Sequence, residues 1–242
     1  MLMQLRTPRL RKPIKATLEN GTGIIENIST SGGFLKTDCE LPQDRFHMKL
    51  KVMGCKIIKI NCEPKWNNAS GVGFKILNIE HSKQALFNTY LENQFQSLEE
   101  YGDSRVFTTE IQVTLKDTNV FGNVYFSNYI EYQGVIREKF LLTTVPDLHE
   151  LLAQSRIRLV TVDTYNRFVN NAYFGDTLLM ELTASEINGA TCKLNISFKN
   201  KDTGQLVGQG YQRFCVVSAG GKVIRIPEVL LNPLDFFQEV ED

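Results

Sequence analysis

Residues Lys116 to Phe140 read KDTNVFGNVYFSNYIEYQGVIREKF. The first part is a polar loop in which Asn119 sits close to Gly122, and the second is a helix carrying Tyr129, Gln133 and Arg137 at i, i+4 and i+8, one stripe of its surface. Upstream, Phe107 to Lys116 alternates Phe107, Ile111, Val113 and Leu115 with Thr108, Glu110, Gln112, Thr114 and Lys116, the period-two pattern of a strand with one wet face. A strand, a short loop and a helix therefore follow one another, and the remaining chain is read around that unit.

Downstream, strand patterns run over Ile157 to Tyr165, Thr177 to Ser185, Thr191 to Asn200, Gln205 to Val217 and Lys222 to Ile226. Turn signals at Lys201 to Gly204 and Ala219 to Gly221 join the last three as a meander. The architecture predicted for residues 105–233 is α+β, one long helix wrapped by an antiparallel sheet.

Residues 13 to 78 have a different texture. Short runs, PIKATL, GTGIIENI, GFLKT, FHMKLKVM, CKIIKINCEPKW and SGVGFKILNI, are separated by turn-forming ENG, STSGG and NNASG. These predict a small antiparallel all-β barrel. Ser82 to Tyr101 then places Ala85, Leu86, Tyr90, Leu91 and Phe95 at helical spacing and ends at Gly102. The halves do not repeat one another, so two domains are expected, 1–101 and 105–233.

Lys plus Arg and Asp plus Glu both number 27, which leaves no bulk field to attract DNA, RNA or an anionic membrane. Cys39, Cys55, Cys62, Cys192 and Cys215 are scattered, without CxxC or a histidine at ligand spacing, which reads as reduced, metal-free and cytoplasmic. The opening MLMQLRTPRLRKPIKATL is basic and holds no apolar run of the length of a signal peptide or membrane helix, so no membrane span is expected.

Residues 105–233 resemble the hot-dog fold acyl thioesterases of the 4-hydroxybenzoyl-CoA type. DTNVFGNVYFSNY stands where that family has DTDxxGxVxxxxY, and YFGDTL, GQGYQRF and IRIP also fit. The pattern TNxxGNVYFxNY followed by QGxxREKFL is closer still to the thioesterases of enediyne polyketide biosynthesis. Where the common family has a catalytic aspartate this chain has Asn119, whose amide does not titrate. The resemblance implies that Asn119 and Arg137 activate the substrate, with Tyr129 beside them. On that basis amide groups at the start of the helix near Phe126 would add donors to an oxyanion, and Gln133 and Gly134 would border the acyl chain. It also implies a homodimer or a dimer of dimers with the site between two helices, and an acyl group carried on coenzyme A or on a carrier protein, with no cofactor.

Each residue has a second reading. Tyr129 fits core packing, Arg137, next to Glu138, a dimer-interface salt bridge, and Asn119 a turn or cap; Asp117 is turned away from the loop crest, and Asp176 is read as a turn residue.

Within 1–101, NISTSGG at Asn27 to Gly33 matches the [D/N]xSxxG motif of the PilZ family, receptors for cyclic di-GMP, and a basic segment precedes it as in that family. The resemblance implies an anionic dinucleotide bound by Arg6, Arg9, Arg11, Asn27, Ser29 and Gly32. The family's RxxxR spacing is absent here. Three whole-chain readings follow: a bacterial acyl thioesterase regulated through a PilZ domain, a non-catalytic cyclic di-GMP receptor or scaffold whose hot-dog half serves dimerisation and acyl binding, or a thioesterase whose barrel is purely structural.

Overall fold

The computed structural model describes residues 9–53, 56–145, 147–154 and 157–239. Contacts divide the chain into two units, one running to Asp103 and the other spanning Ser104–Glu239.

In the first unit β1 (Ile14–Leu18), β2 (Gly21–Ile28), β3 (Gly32–Lys36), β4 (Phe46–Val52), β5 (Lys56–Asn68) and β6 (Gly71–Ile79) close an antiparallel barrel in the order β1-β2-β3-β6-β5-β4. Strict alternation decides which side chains fill it: Ile14, Ala16 and Leu18 from β1 and Phe46, Met48, Leu50 and Val52 from β4 all point inward. Gly32 is required by β3 meeting β6, because a Cβ there would stand 2.3 Å from the Phe74 carbonyl oxygen. α1 (His81–Tyr101) follows, and Gly102, with φ 71°, ends it by donating its amide to the Leu98 carbonyl at 2.9 Å. The stripe it buries is Phe87, Tyr90, Leu91, Gln94 and Ser97. Ala85, expected inside, is exposed, because Phe87 has the larger apolar surface to withdraw from water.

In the second unit β7 (Phe107–Gln112), β8 (Ile157–Phe168), β9 (Thr177–Asn188), β10 (Thr191–Asn200) and β11 (Leu206–Ser218) form an antiparallel sheet in the order β7-β9-β10-β11-β8. The long helix α2 (Asn128–Thr144) lies on one face, with short helices α3 (Leu148–Ala153) and α4 (Glu228–Phe236) beside the sheet. Tyr129, Tyr132, Ile136 and Phe140 recur at helical spacing and face Met180, Leu182, Leu194, Ile196 and Phe198, all buried. Phe140 meets Phe107 and Phe237 edge-to-face, with centroids 5.5 Å apart in both pairs.

Two sequence expectations fail locally. The strand predicted to Lys116 stops at Gln112, and Leu115 is exposed. Thr114 donates its amide and hydroxyl to the Asp117 carboxylate at 2.7 and 2.6 Å, and that capping box winds Leu115–Asp117 into a 3-10 turn. Lys222 to Ile226 is not a strand. Val223 makes one isolated bridge to Val217, Ile224 donates to the Val216 carbonyl and Ile226 to that of Gly189, so the segment is tied to β11 and to the β9–β10 turn by single bonds and not by a continuous ladder. Neither α3 nor α4 was anticipated from the pattern.

Candidate active site

The loop between the 3-10 turn and α2 is built from backbone bonds that converge on Asp117 and Asn119. Asp117 is buried, and its carbonyl accepts from the Tyr125 amide at 2.8 Å and from Asn128 Nδ2 at 2.6 Å, which ties the loop to the first turn of α2. Asn119 makes a tight turn: its Oδ1 accepts from the Phe121 amide at 2.8 Å and its carbonyl accepts from Gly122, at φ 80°, at 2.9 Å. The turn-forming reading of Asn119 is thus realised, yet its Nδ2 donor makes no hydrogen bond among the described residues. Val120 and Phe121 at the tip are 94% and 83% exposed. A second loop closes against this one: Phe174 donates to the Gly122 carbonyl at 3.2 Å, and Asp176 accepts from the Tyr173 amide at 2.8 Å, which makes Asp176 a turn residue as anticipated.

Along α2 the predicted stripe separates into different roles. Phe126, just before the helix, is exposed and packs on Tyr125. Tyr129 is 4% exposed, with its ring edge-to-face against Tyr132, Phe198 and Phe168. That is the packing role, and burial together with the nearby Asp176 charge pushes its hydroxyl up to about 12. Burial, reinforced by Asp117, also raises the Tyr132 hydroxyl.

Gln133, expected to border the acyl chain, is instead fully buried. Its Nε2 donates to the Tyr165 carbonyl at 3.0 Å and to Asn166 Oδ1 at 3.1 Å, while its Oε1 accepts from the Thr164 hydroxyl at 2.9 Å. A fully buried amide must find such partners, so it braces α2 against β8. Gly134 looks onto open space: a Cβ added there meets nothing within 4 Å.

Arg137 reaches the same sheet. One terminal nitrogen donates to Thr161 Oγ1 at 2.9 Å and to Gln212 Oε1 at 3.1 Å. It forms no ion pair with Glu138 or with any other carboxylate among the described residues, so a full positive charge is held by two neutral oxygens. Its Nε and its other terminal nitrogen make no hydrogen bond there. Gln212 lies within the GQGYQRF stretch, which was given no role of its own, and no sequence signal pointed to Thr161.

Asn119 and Arg137 of one chain are not hydrogen-bonded to each other. Asn119 belongs to the loop anchored at the start of α2, and Arg137 lies nine residues beyond Asn128, about 14 Å of helical rise.

In the first unit, Leu10 and Ile28 exchange backbone hydrogen bonds at 2.7 and 2.9 Å, which lays the basic segment along the NISTSGG turn. Arg9 donates to Asn27 Oδ1 at 3.2 Å, and Arg11 is exposed. Ser29 is buried and engaged within the turn, its hydroxyl donating to the Gly32 carbonyl at 3.0 Å. Gly32 serves the approach of two strands, as described above. Arg6 lies outside the described residues.

The loop, α2 and the antiparallel strands that follow match a family profile described as thioesterase-like superfamily, over residues 113–234. The chain belongs to the thioesterase-like superfamily. Its second unit is a hot-dog domain, and the protein is a thioester hydrolase by family.

Among solved structures, a dynemicin thioesterase studied for polyene binding is 26% identical, with a TM-score of 0.53 over 56% of this chain and 99% of that one. A 1,4-dihydroxy-2-naphthoyl-CoA thioesterase from Synechocystis is 22% identical, TM-score 0.51, over 53% of this chain and 95% of that one. A hypothetical protein from Staphylococcus aureus, solved in complex with CoA, is 15% identical, TM-score 0.51, over 57% and 88% respectively. The last two share the fold. No curated protein matches the chain. No helix among the described residues is long and apolar enough to cross a membrane, and no cluster of side chains there could hold a metal.

Proposed function

We propose that the protein hydrolyses acyl thioesters of coenzyme A or of a carrier protein's phosphopantetheine arm, releasing a fatty, polyene or polyketide acid, with Asn119 and Arg137 as its working groups. Water attacks the thioester carbonyl carbon, a C–O bond forms, the C–S bond breaks, and the departing thiolate takes the proton the water gives up. The negative charge that builds on the carbonyl oxygen in between is met by fixed donors, the guanidinium of Arg137 and Nδ2 of Asn119. The observation that carries this reading is the Arg137 guanidinium, anchored by neutral oxygens and ion-paired with no carboxylate among the described residues.

Asn119 and Arg137 come together, in this reading, where two protomers meet. β8 supports such a homodimer, because it is a sheet edge of 12 residues with Val160, Val162, Tyr165 and Phe168 exposed. An open, apolar edge of that length is a ready template for pairing with another chain. Gly134 leaves space for the acyl chain. Cys39, Cys62, Cys192 and Cys215 are unpaired, consistent with residence in the reducing cytoplasm.

The barrel is read as a PilZ domain that takes cyclic di-GMP over Arg9, Arg11 and Asn27, with Ser29 and Gly32 shaping the turn beneath. The Arg9–Asn27 hydrogen bond supports this by placing a guanidinium beside the motif. A second reading, a non-catalytic receptor or scaffold, is favoured by one feature: Asn119 has no carboxylate, and its Oδ1 is spent on the turn.

Hydrolysis of a panel of acyl-CoA and acyl-carrier thioesters, with Asn119→Ala and Arg137→Ala as controls, decides between the two. Turnover lost in both variants supports the enzyme, and silence on the entire panel leaves the scaffold. Calorimetry with cyclic di-GMP on wild type, Arg9→Ala and Arg11→Ala tests the barrel; heat unchanged by both substitutions would remove the sensor.

A further inference from the structure

β8 contains one residue too many for its partner. Against β11 the register runs Arg213 opposite Asp163 and then Phe214 opposite Thr161, so Val162 is left over as a β-bulge. A regular strand sends residues three apart to opposite faces. Because of the bulge, Thr161 and Thr164 both reach α2. Thr164 bonds Gln133 and Thr161 bonds Arg137, two side chains one helical turn apart on the same stripe. Gln212, buried on β11, supplies the second acceptor to the same nitrogen of Arg137.

We propose that Thr161 and Gln212, aligned by the Val162 bulge, are positioning residues that hold the Arg137 guanidinium by one nitrogen so that its remaining N–H groups face the thioester. This rests on the role given to Arg137 above. Both acceptors are neutral, and that choice is functional: a carboxylate in their place would anchor the guanidinium equally well while cancelling the charge an oxyanion needs. Anchoring also removes rotamer freedom from a long side chain before substrate arrives.

The test uses the full chain with decanoyl-CoA as probe. Thr161→Val and Gln212→Leu should each lower kcat about 10- to 50-fold with KM within about two-fold, which is loss in the transition state alone. Thr161→Ser should restore most of the rate. In an Arg137→Ala background the same two substitutions should change the residual rate less than about two-fold, since they act through that side chain. Gln212→Glu should keep the guanidinium anchored and still lower kcat.

The anchoring is read separately from activity by guanidinium nitrogen resonances assigned through Arg137→Lys: hindered rotation in wild type and in Gln212→Glu, free rotation in the Thr161→Val and Gln212→Leu double variant. Wild-type decanoyl-CoA left intact, or turnover untouched by Arg137→Ala, would overturn the role of Arg137 itself. An Arg137→Ala defect with full kcat in Thr161→Val and Gln212→Leu overturns only the positioning, as does free rotation in wild type.

Discussion

Gln133 Nε2 donates to the Tyr165 carbonyl oxygen at 3.0 Å through a gap left by a missing side chain, because a Cβ at Gly210 would stand 2.0 Å from that oxygen and 2.7 Å from Nε2. α2 and β8 can be braced by this amide only while position 210 is glycine. Gly210→Ala must push β11 from β8 and strand a buried amide and carbonyl, a loss of about 2–3 kcal/mol visible in urea unfolding. A midpoint equal to wild type would show that the bond contributes nothing.

Gly134 gives the opposite expectation. It sits inside α2 with nothing near an added Cβ, so Gly134→Ala should raise stability by about 0.5–1 kcal/mol through helix propensity alone. If acyl chains lie against it, Gly134→Leu should shift the preferred thioester to shorter chains while leaving the fold intact, which competition between two acyl-CoA lengths would detect.

Asn119→Ala and Arg137→Ala should each cost about 2–4 kcal/mol of transition-state stabilisation, read from kcat/KM, and the double variant should lose less than the sum. Full additivity would mean that the two donors serve different steps.

Asp117 acts as a structural carboxylate. It caps the 3-10 turn through Thr114 and lies against the Tyr132 hydroxyl, while its backbone anchors the Asn119 loop. Asp117→Ala should destabilise the protein by about 1–2 kcal/mol and should lower activity through a displaced Asn119 loop. Thermal melts paired with rate measurements check both, and a loss of rate with unchanged stability would instead make Asp117 a chemical group.

Alkaline stability follows from Tyr129. Its folded hydroxyl titrates near 12, above the ordinary tyrosine value near 10, so the unfolded chain gives up this proton first as pH rises. The stability associated with the neutral, buried ring is complete below about pH 10 and is lost progressively between 10 and 12, on the order of 2 kcal/mol. Tyr129→Phe should flatten that part of the stability curve relative to wild type.

Much of this molecule was legible in its residues. Alternation located β1 to β6 within a residue or two, and β10 without error, because a strand with one buried face has to repeat every second position. The stripe on α2 likewise announced a helix lying on a sheet. The end of β7 was misread because local hydrogen bonding by Thr114 and Asp117 outcompeted a pattern that still looked alternating.

What each member of the Tyr129, Gln133 and Arg137 stripe does was settled only by the tertiary structure. Equal spacing gave them one helix face, but their partners come from β8, β10 and β11, far along the chain: Phe198 and Phe168 make Tyr129 a core ring, the Tyr165 carbonyl beside Gly210 makes Gln133 a brace, and Thr161 with Gln212 makes Arg137 an anchored, uncompensated cation. Spacing records which residues share a face; it holds no information about a bulge at Val162 that changes which side of a distant strand meets them, since strand register is a property of the paired sheet and not of either segment alone.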